Sequence, residues 1–136
     1  MIGRLRSVVV DCKEPEALAR FYGEVVGGQL DASEADWVVL TTPDGTRLAF
    51  QLSPEHSPPE FPDPTGSQQF HLDIQVEDVD AAEREVLAFG ATRVPGVGKE
   101  DSGDEGSGDD FRVYRDPAGH TFCLVWGIPP EPGSAT

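Results

Sequence analysis

The chain has 136 residues, 38% of them hydrophobic and 26% charged, with a formal net charge of −15 at pH 7. One domain of this length buries roughly 70% of its unfolded surface without staples, and the charge excludes direct binding to nucleic-acid phosphates or anionic lipid. The two cysteines, Cys12 and Cys123, lie in separate apolar runs and give no disulfide framework, so a reducing cytoplasm is the expected compartment.

The opening MIGRLRSVVVDCKEPE is basic, but its apolar run is too short for a signal peptide or a membrane span. Arg4 to Cys12 reads as a strand centred on Val8, Val9 and Val10. Pro15 suits a first helical position and Glu14 and Glu16 suit a helix N-terminus; Leu18, Phe21, Tyr22 and Val25 then give one helical face. Gly27-Gly28 ends that helix. Strands are expected at Gln29 to Asp31, at Trp37 to Leu40, and at Arg47 to Leu52 after the turn Pro43-Asp44-Gly45.

Five prolines between Pro54 and Pro64 form a stiff linker without regular structure. Phe70 to Val76 is the next strand. Asp80-Ala81-Ala82-Glu83 has the pattern of a capping box at a helix start, Val86 and Phe89 carry the apolar face, and Gly90 is the stop. Phe111 to Tyr114 and Thr121 to Trp126 are strands joined by the turn Asp116-Pro117-Ala118-Gly119. Lys99 to Asp110 carries six acids among glycines and serines and reads as a solvated, mobile loop, not a calcium loop. PPEPGSAT at the end reads as a frayed tail.

The chain repeats itself. The unit from Ser7 overlays the one from His71 at a constant offset, pairing Glu14 with Asp78, Glu16 with Asp80 and Ala17 with Ala81. TPDGTRLAF (Thr42 to Phe50) matches DPAGHTFCL (Asp116 to Leu124) in the same way. Each half reads strand, helix, then about three strands. The predicted organisation is a single domain over 1–136, with a first βαβββ module at 4–53, a linker at 54–68, a second module at 69–127 and a tail at 128–136.

Strand alternation divides the residues between two faces. Val8 and Val10, Leu48, Phe50 and Leu52, Leu72, Ile74 and Val76, and Phe122, Leu124 and Trp126 face the helices, giving a uniformly apolar surface. Ser7, Val9 and Asp11, Arg47, Ala49 and Gln51, His71, Asp73 and Gln75, and Thr121, Cys123 and Val125 lie opposite. That mixed face either meets solvent, as antiparallel sheets allow, or lines a partly polar pocket. Trp37 supplies an aromatic wall or a core side chain. Among the histidines, His71 is the candidate acid, base, hydrogen-bond anchor or ligand, with Asp73 two residues along the same face; His56 and His120 are expected to face solvent. Cys123 has no basic neighbour in sequence to activate it as a nucleophile.

A duplicated βαβββ unit with HLDIQVEDVDAAEREVLAFGA and a late DPAGHTFCLVWG resembles the glyoxalase/bleomycin-resistance/extradiol-dioxygenase superfamily, the vicinal oxygen chelate proteins. The run FQLSPEHSPPEFPDPTGSQQFHLD is similar to its glyoxalase-like domain branch, and the resemblance covers about Leu5 to Gly127. It implies an α+β fold, two βαβββ modules forming curved, mostly antiparallel sheets around a cleft, and a homodimer. It also implies a divalent metal held by histidine and glutamate from the first and last strands of the halves. Carried over position by position, those ligand sites hold Ser7, Ala49, His71 and Cys123, only one of them a usual ligand.

The expectation is therefore a small-molecule ligand in a cleft of Ser7, Asp11, Trp37, Arg47, Gln51, His71, Asp73 and Cys123, with no metal or other cofactor, no nucleic acid and no membrane. Two alternatives stand beside it. One is a metal-dependent lyase, isomerase or dioxygenase with an atypical site at His71 and Cys123, its third ligand drawn from Asp11, Asp73, Gln51 or a dimer partner. The other is a structural or interaction module with a vestigial cleft.

Overall fold

The structure is a computed structural model, and it describes residues 1–63, 65–98 and 110–127. The elements run β1 (Val8–Cys12), α1 (Pro15–Val26), β2 (Gln29–Glu34), β3 (Trp37–Thr41), β4 (Arg47–Leu52), β5 (Leu72–Gln75), α2 (Val79–Ala88), β6 (Thr92–Gly98), β7 (Asp110–Arg115) and β8 (Thr121–Trp126). They make two four-stranded mixed sheets, ordered β1-β4-β3-β2 and β5-β8-β7-β6, so the fold is α+β. In each sheet the module's first strand pairs in parallel with its last, and the other pairs are antiparallel. The parallel pairing follows from the helical crossover between the two strands. The described residues form two compact units: 1–58 with the turn 116–120, and those of 59–115 with 121–127.

The repeat is carried at the element level: β1 and β5, and α1 and α2, begin at the same spacing, and Glu14 and Asp78 stand at the two N-caps. Both opening strands are shorter than the sequence predicts. Residues 4–6 stay outside β1 because β4 begins only at Arg47, and Val8 is already paired with Leu48. Before β5, Gln69 adopts φ +70° and turns the chain, which leaves Phe70 almost fully exposed. The expectations for Lys99 to Glu100, the rest of the acidic run to Asp109 and the tail from 128 lie outside the described residues; Asp110 is the first residue of β7.

In the first unit α1 lays Leu18, Ala19, Phe21 and Tyr22 on the sheet face of Val38, Leu40, Leu48 and Phe50, all buried. Tyr22 stacks on Phe50 with ring centroids 5.8 Å apart. Burying each such side chain contributes about 1.5–3 kcal/mol. The Tyr22 hydroxyl donates to the Asp116 carboxylate at 2.6 Å, which ties the turn 116–120 into this unit. Asp116 also accepts from the backbone N–H groups of Ala118 and His120.

The second unit departs from the predicted apolar helix face. β7 turns Arg112 and Tyr114 toward α2; Arg112 is 3% exposed and pairs with Asp80 and Glu83. Glu83 also holds Arg93 at 2.7 Å and accepts from the Tyr114 hydroxyl at 2.9 Å. The Arg112 guanidinium lies over the Trp126 ring. This network corrects the capping-box expectation. With Glu83 committed to two arginines, the N-cap is Asp78, whose side chain accepts from the Ala81 N–H at 3.1 Å. It also explains why α2 buries so little: Val86 is its buried residue, and Phe89, expected on the apolar face, is the C-cap and is 48% exposed.

Gly28 is the tightest glycine that the turn after α1 requires. At φ +117°, a Cβ there would fall 2.2 Å from the Thr41 carbonyl oxygen, where the β2–β3 pairing begins. Gly45, at φ +91°, has nothing within 4 Å of its would-be Cβ. In urea titrations Gly28→Ala should therefore lose about 3 kcal/mol or more from combined strain and clash. Gly45→Ala should lose only about 1 kcal/mol, from the left-handed backbone alone. Equal losses would mean that the β2–β3 approach is looser than described.

Candidate functional site

The parallel pairing of β5 with β8 sets Asp73 beside Cys123 in register. His71 is the residue before β5 and lies on the same side as Asp73 by strand alternation. The result is a three-residue group in the second unit: the His71, Asp73 and Cys123 ligand atoms all lie within 4.8 Å of one another. His71 Nε2 stands 3.3 Å from Asp73 Oδ1; His71 and Asp73 are exposed, and Cys123 is 3% exposed.

Cys123 packs in a small apolar cluster with Val94, Val113 and Val125, closed by Phe61 and Val97. The face predicted to be mixed is thus largely buried along β8, because β6 and the linker contribute apolar cover that the sequence pattern did not place. Burial pushes the thiol pKa up to about 12, and the neighbouring Asp73 charge and hydrogen bond push the same way. Cys123 is therefore a thiol that donates to a carboxylate, not an activated thiolate. Cys12, fully buried in β1, is likewise raised, to about 11, chiefly by burial.

The first unit carries the other five predicted residues. Register places Asp11 beside Gln51 and Gln51 beside Trp37 in one row, and Arg47 beside Thr41 in another. Ser7 immediately precedes β1. Between the rows lie Val9, Ala49 and Val39, paired in turn. Ser7, Trp37 and Arg47 are half-buried, while Asp11 and Gln51 are exposed. Trp37 thus lies on the polar face and not with the helix-side core.

The remaining histidines correct the expectation that they face solvent. His56, in the linker, and His120, in the turn, are half-buried with ring centroids 4.6 Å apart. His120 Nε2 lies 2.7 Å from the Asp11 carbonyl oxygen, so that nitrogen carries the hydrogen. Pro58 sits over Gly119, whose φ of +94° and close neighbour leave no room for a side chain. The sequence signal for this contact was the proline-histidine linker itself, but nothing in it names the partner turn. Two cavities open in this unit at the start of α1, one of about 420 Å³ beside Lys13, His56, Pro58 and Pro117, the other of about 450 Å³ beside Glu16, Ser33 and Glu34. Neither of these is lined by the predicted site residues.

Residues 7–125 match the family described as glyoxalase-like domain. The chain belongs to that family. It is thereby a member of the glyoxalase/bleomycin-resistance/dioxygenase, or vicinal oxygen chelate, superfamily. Solved structures share the fold. A glyoxalase/bleomycin resistance protein/dioxygenase family enzyme from Burkholderia phytofirmans superposes with a TM-score of 0.67 at 20% identity, covering 93% of this chain and 100% of that one. A glyoxalase family protein from Bacillus cereus gives 0.69 at 16% identity, with 95% and 97% covered. A protein titled oxidase ChaP-H2 gives 0.63 at 20% identity, with 98% and 100% covered. No curated protein matches the sequence. No helix of the described residues is long and apolar enough to cross a membrane.

Two titrations check the electrostatics of this glyoxalase-like domain. Both thiol pKa values are raised by folding, so their contribution to stability is full below the ordinary value of 9.0 and is lost as pH rises toward about 11 and 12. A disulfide reagent at pH 8 should find no reactive thiol in the native protein and two after denaturation. Burial and the facing His120 lower the His56 pKa below 6.5, against the opposing pull of Asp11 and Asp116. Its neutral form is thus favoured by the fold, and the stability it confers is present above pH 6.5 and lost as pH falls through the folded value. The His56 imidazole resonances should titrate with a midpoint below 6.5; a midpoint above it would contradict the packing against His120.

Proposed function

We propose that this glyoxalase-like protein binds a small organic molecule on a polar sheet face, and that it does so without the metal set usual in its superfamily. The carrying observation is the His71–Asp73 pair, an imidazole 3.3 Å from a carboxylate at the exposed edge of an otherwise apolar cluster. Such a pair offers a ligand both a donor and an acceptor. The superfamily's metal positions do not fit a divalent ion as a set: Ala49 is fully buried and has no donor atom, and Ser7 offers only a hydroxyl.

A second reading has its own observation. His71, Asp73 and Cys123 form a nitrogen, oxygen and sulfur set within 4.8 Å. In a tetrahedral zinc site with ligand distances near 2.0–2.3 Å, neighbouring ligand atoms lie about 3.3 Å apart, and the His71–Asp73 separation is 3.3 Å. Three protein ligands with one open position is the arrangement of catalytic zinc. Binding would displace the Cys123 proton, so uptake would strengthen as pH rises.

Elemental analysis and cobalt titration separate the two. Under the first reading purified protein carries well below one equivalent of metal, and added Co2+ produces no thiolate-to-cobalt absorption. One equivalent that is lost in both His71→Ala and Cys123→Ser would establish the second reading instead. Under the first, an NMR fragment screen should give hits whose shifts centre on His71 and Asp73, and His71→Ala should weaken them about tenfold, as loss of a charged or polar anchor does.

A further inference from the structure

The described cations fall into two clear groups, and one arginine belongs to neither. Arg20 pairs with Glu16, Arg93 with Glu83, Arg112 with Asp80 and Glu83, and Arg115 with the backbone carbonyls of Pro59 and Phe61. Arg4, Arg6, Lys13 and Arg84 stand exposed on the surface. Arg47 is half-buried on the polar face of the first sheet. Its Nε is shielded from solvent and has no hydrogen-bond partner, and its guanidinium makes no ion pair.

Shielding a guanidinium nitrogen from water without a partner is costly. In a chain of net charge −15 a carboxylate would be easy to supply. The nearest candidate on this face is Asp31, in β2. Its carboxylate accepts from the Ser33 backbone N–H at 3.1 Å, and hydrogen bonding with Ser33 is the chief reason its pKa is lowered; Arg47 enters only as a weaker, longer-range attraction. Thus Asp31 is committed to its own strand. The neighbour of Arg47 in register, Thr41, carries a hydroxyl and no charge.

We propose that Arg47 anchors the anionic group of a small organic monoacid with an apolar body on the polar face of the first sheet. This rests on the reading that the polar face takes a small molecule, and it adds the ligand's charge and polarity. The next row on this face, Val9, Ala49 and Val39, ends at Asp31 in β2, and the row beyond holds Asp11 beside Gln51, four residues from Arg47 along β4, or roughly 13 Å. One cation, with the Asp31 and Asp11 carboxylates in the two following rows, suits a single negative charge and disfavours a dianion such as a phosphate ester. The planar fork of arginine matches a carboxylate with two parallel hydrogen bonds.

Benzoate and benzamide, alike in shape and different in charge, test this by proton–nitrogen NMR of the labelled full chain. Benzoate should move the Arg47 Nε–H resonance and the amides of Thr41 and Arg47, and benzamide should not. Arg47→Gln should weaken benzoate binding at least tenfold, and Arg47→Lys, which keeps the charge without the fork, should weaken it less. The same spectra report whether each variant is folded. Equal binding of benzamide, or benzoate shifts confined to the exposed Arg4 and Arg6, would overturn the anion anchor while leaving the broader function standing. Shifts from neither compound, at Arg47 or at His71 and Asp73, would count against both.

Discussion

Each module closes by laying its first strand parallel to its last, and the pairing of Asp11 with Gln51 and of Asp73 with Cys123 follows from that. A helix must carry the chain back over the sheet before a parallel neighbour can form. Once it has, residues far apart in sequence share a row: Asp11 with Gln51 in one sheet, Asp73 with Cys123 in the other. The His71–Asp73–Cys123 group combines this long-range register with a local one, since His71 and Asp73 share a face by the two-residue period of a strand. Neither register suffices alone.

The two modules meet this shared constraint with different chemistry. The first fills the space under its helix with Phe21, Tyr22, Leu40 and Phe50, and α1 buries five side chains of its own. The second has a four-residue opening strand and a helix with a single buried residue. There the helix is held to the sheet by Glu83, which binds Arg93, Arg112 and Tyr114, with Trp126 beneath the Arg112 guanidinium. A nearly buried arginine is tolerable because two carboxylates and a ring face replace its water. Loss of Glu83 would leave that charge largely to Asp80, which is mostly exposed.

What the sequence made legible was whatever depends on local pattern. The duplicated strand–helix spacing, the helical face of α1 and the hairpin turn at Asp116 all appear in the fold, as does the placement of Arg47, Gln51 and Asp11 on one side of a sheet. What it hid depends on partners. β6, TRVPGVG, contains a proline and a glycine at φ +79° and pairs irregularly with β7; as the edge strand of its sheet it can carry both without a strand-like pattern. Without β6 the apolar cover over Cys123 was invisible. Arg112 looked like an ordinary strand residue until β7 was set against α2, and His56 and His120 looked like surface histidines because their contact joins residues 64 apart in the chain.

The two functional readings of the second unit differ by one proton. With the proton on Cys123 Sγ, the thiol donates to Asp73, the apolar cluster is undisturbed, and His71 and Asp73 are left as a polar pair for a ligand. Replacing that proton by a divalent ion brings all three donors to one centre and sets a cation and a thiolate against Val94, Val113 and Val125. The burial that holds the thiol protonated in the first state is the cost a metal must overcome in the second, and low-dielectric surroundings then strengthen the bond that forms. Asp73 serves both states, as hydrogen-bond acceptor in one and as ligand in the other. The residue that sets the balance is therefore the buried cysteine, and not the histidine that first draws notice in the sequence.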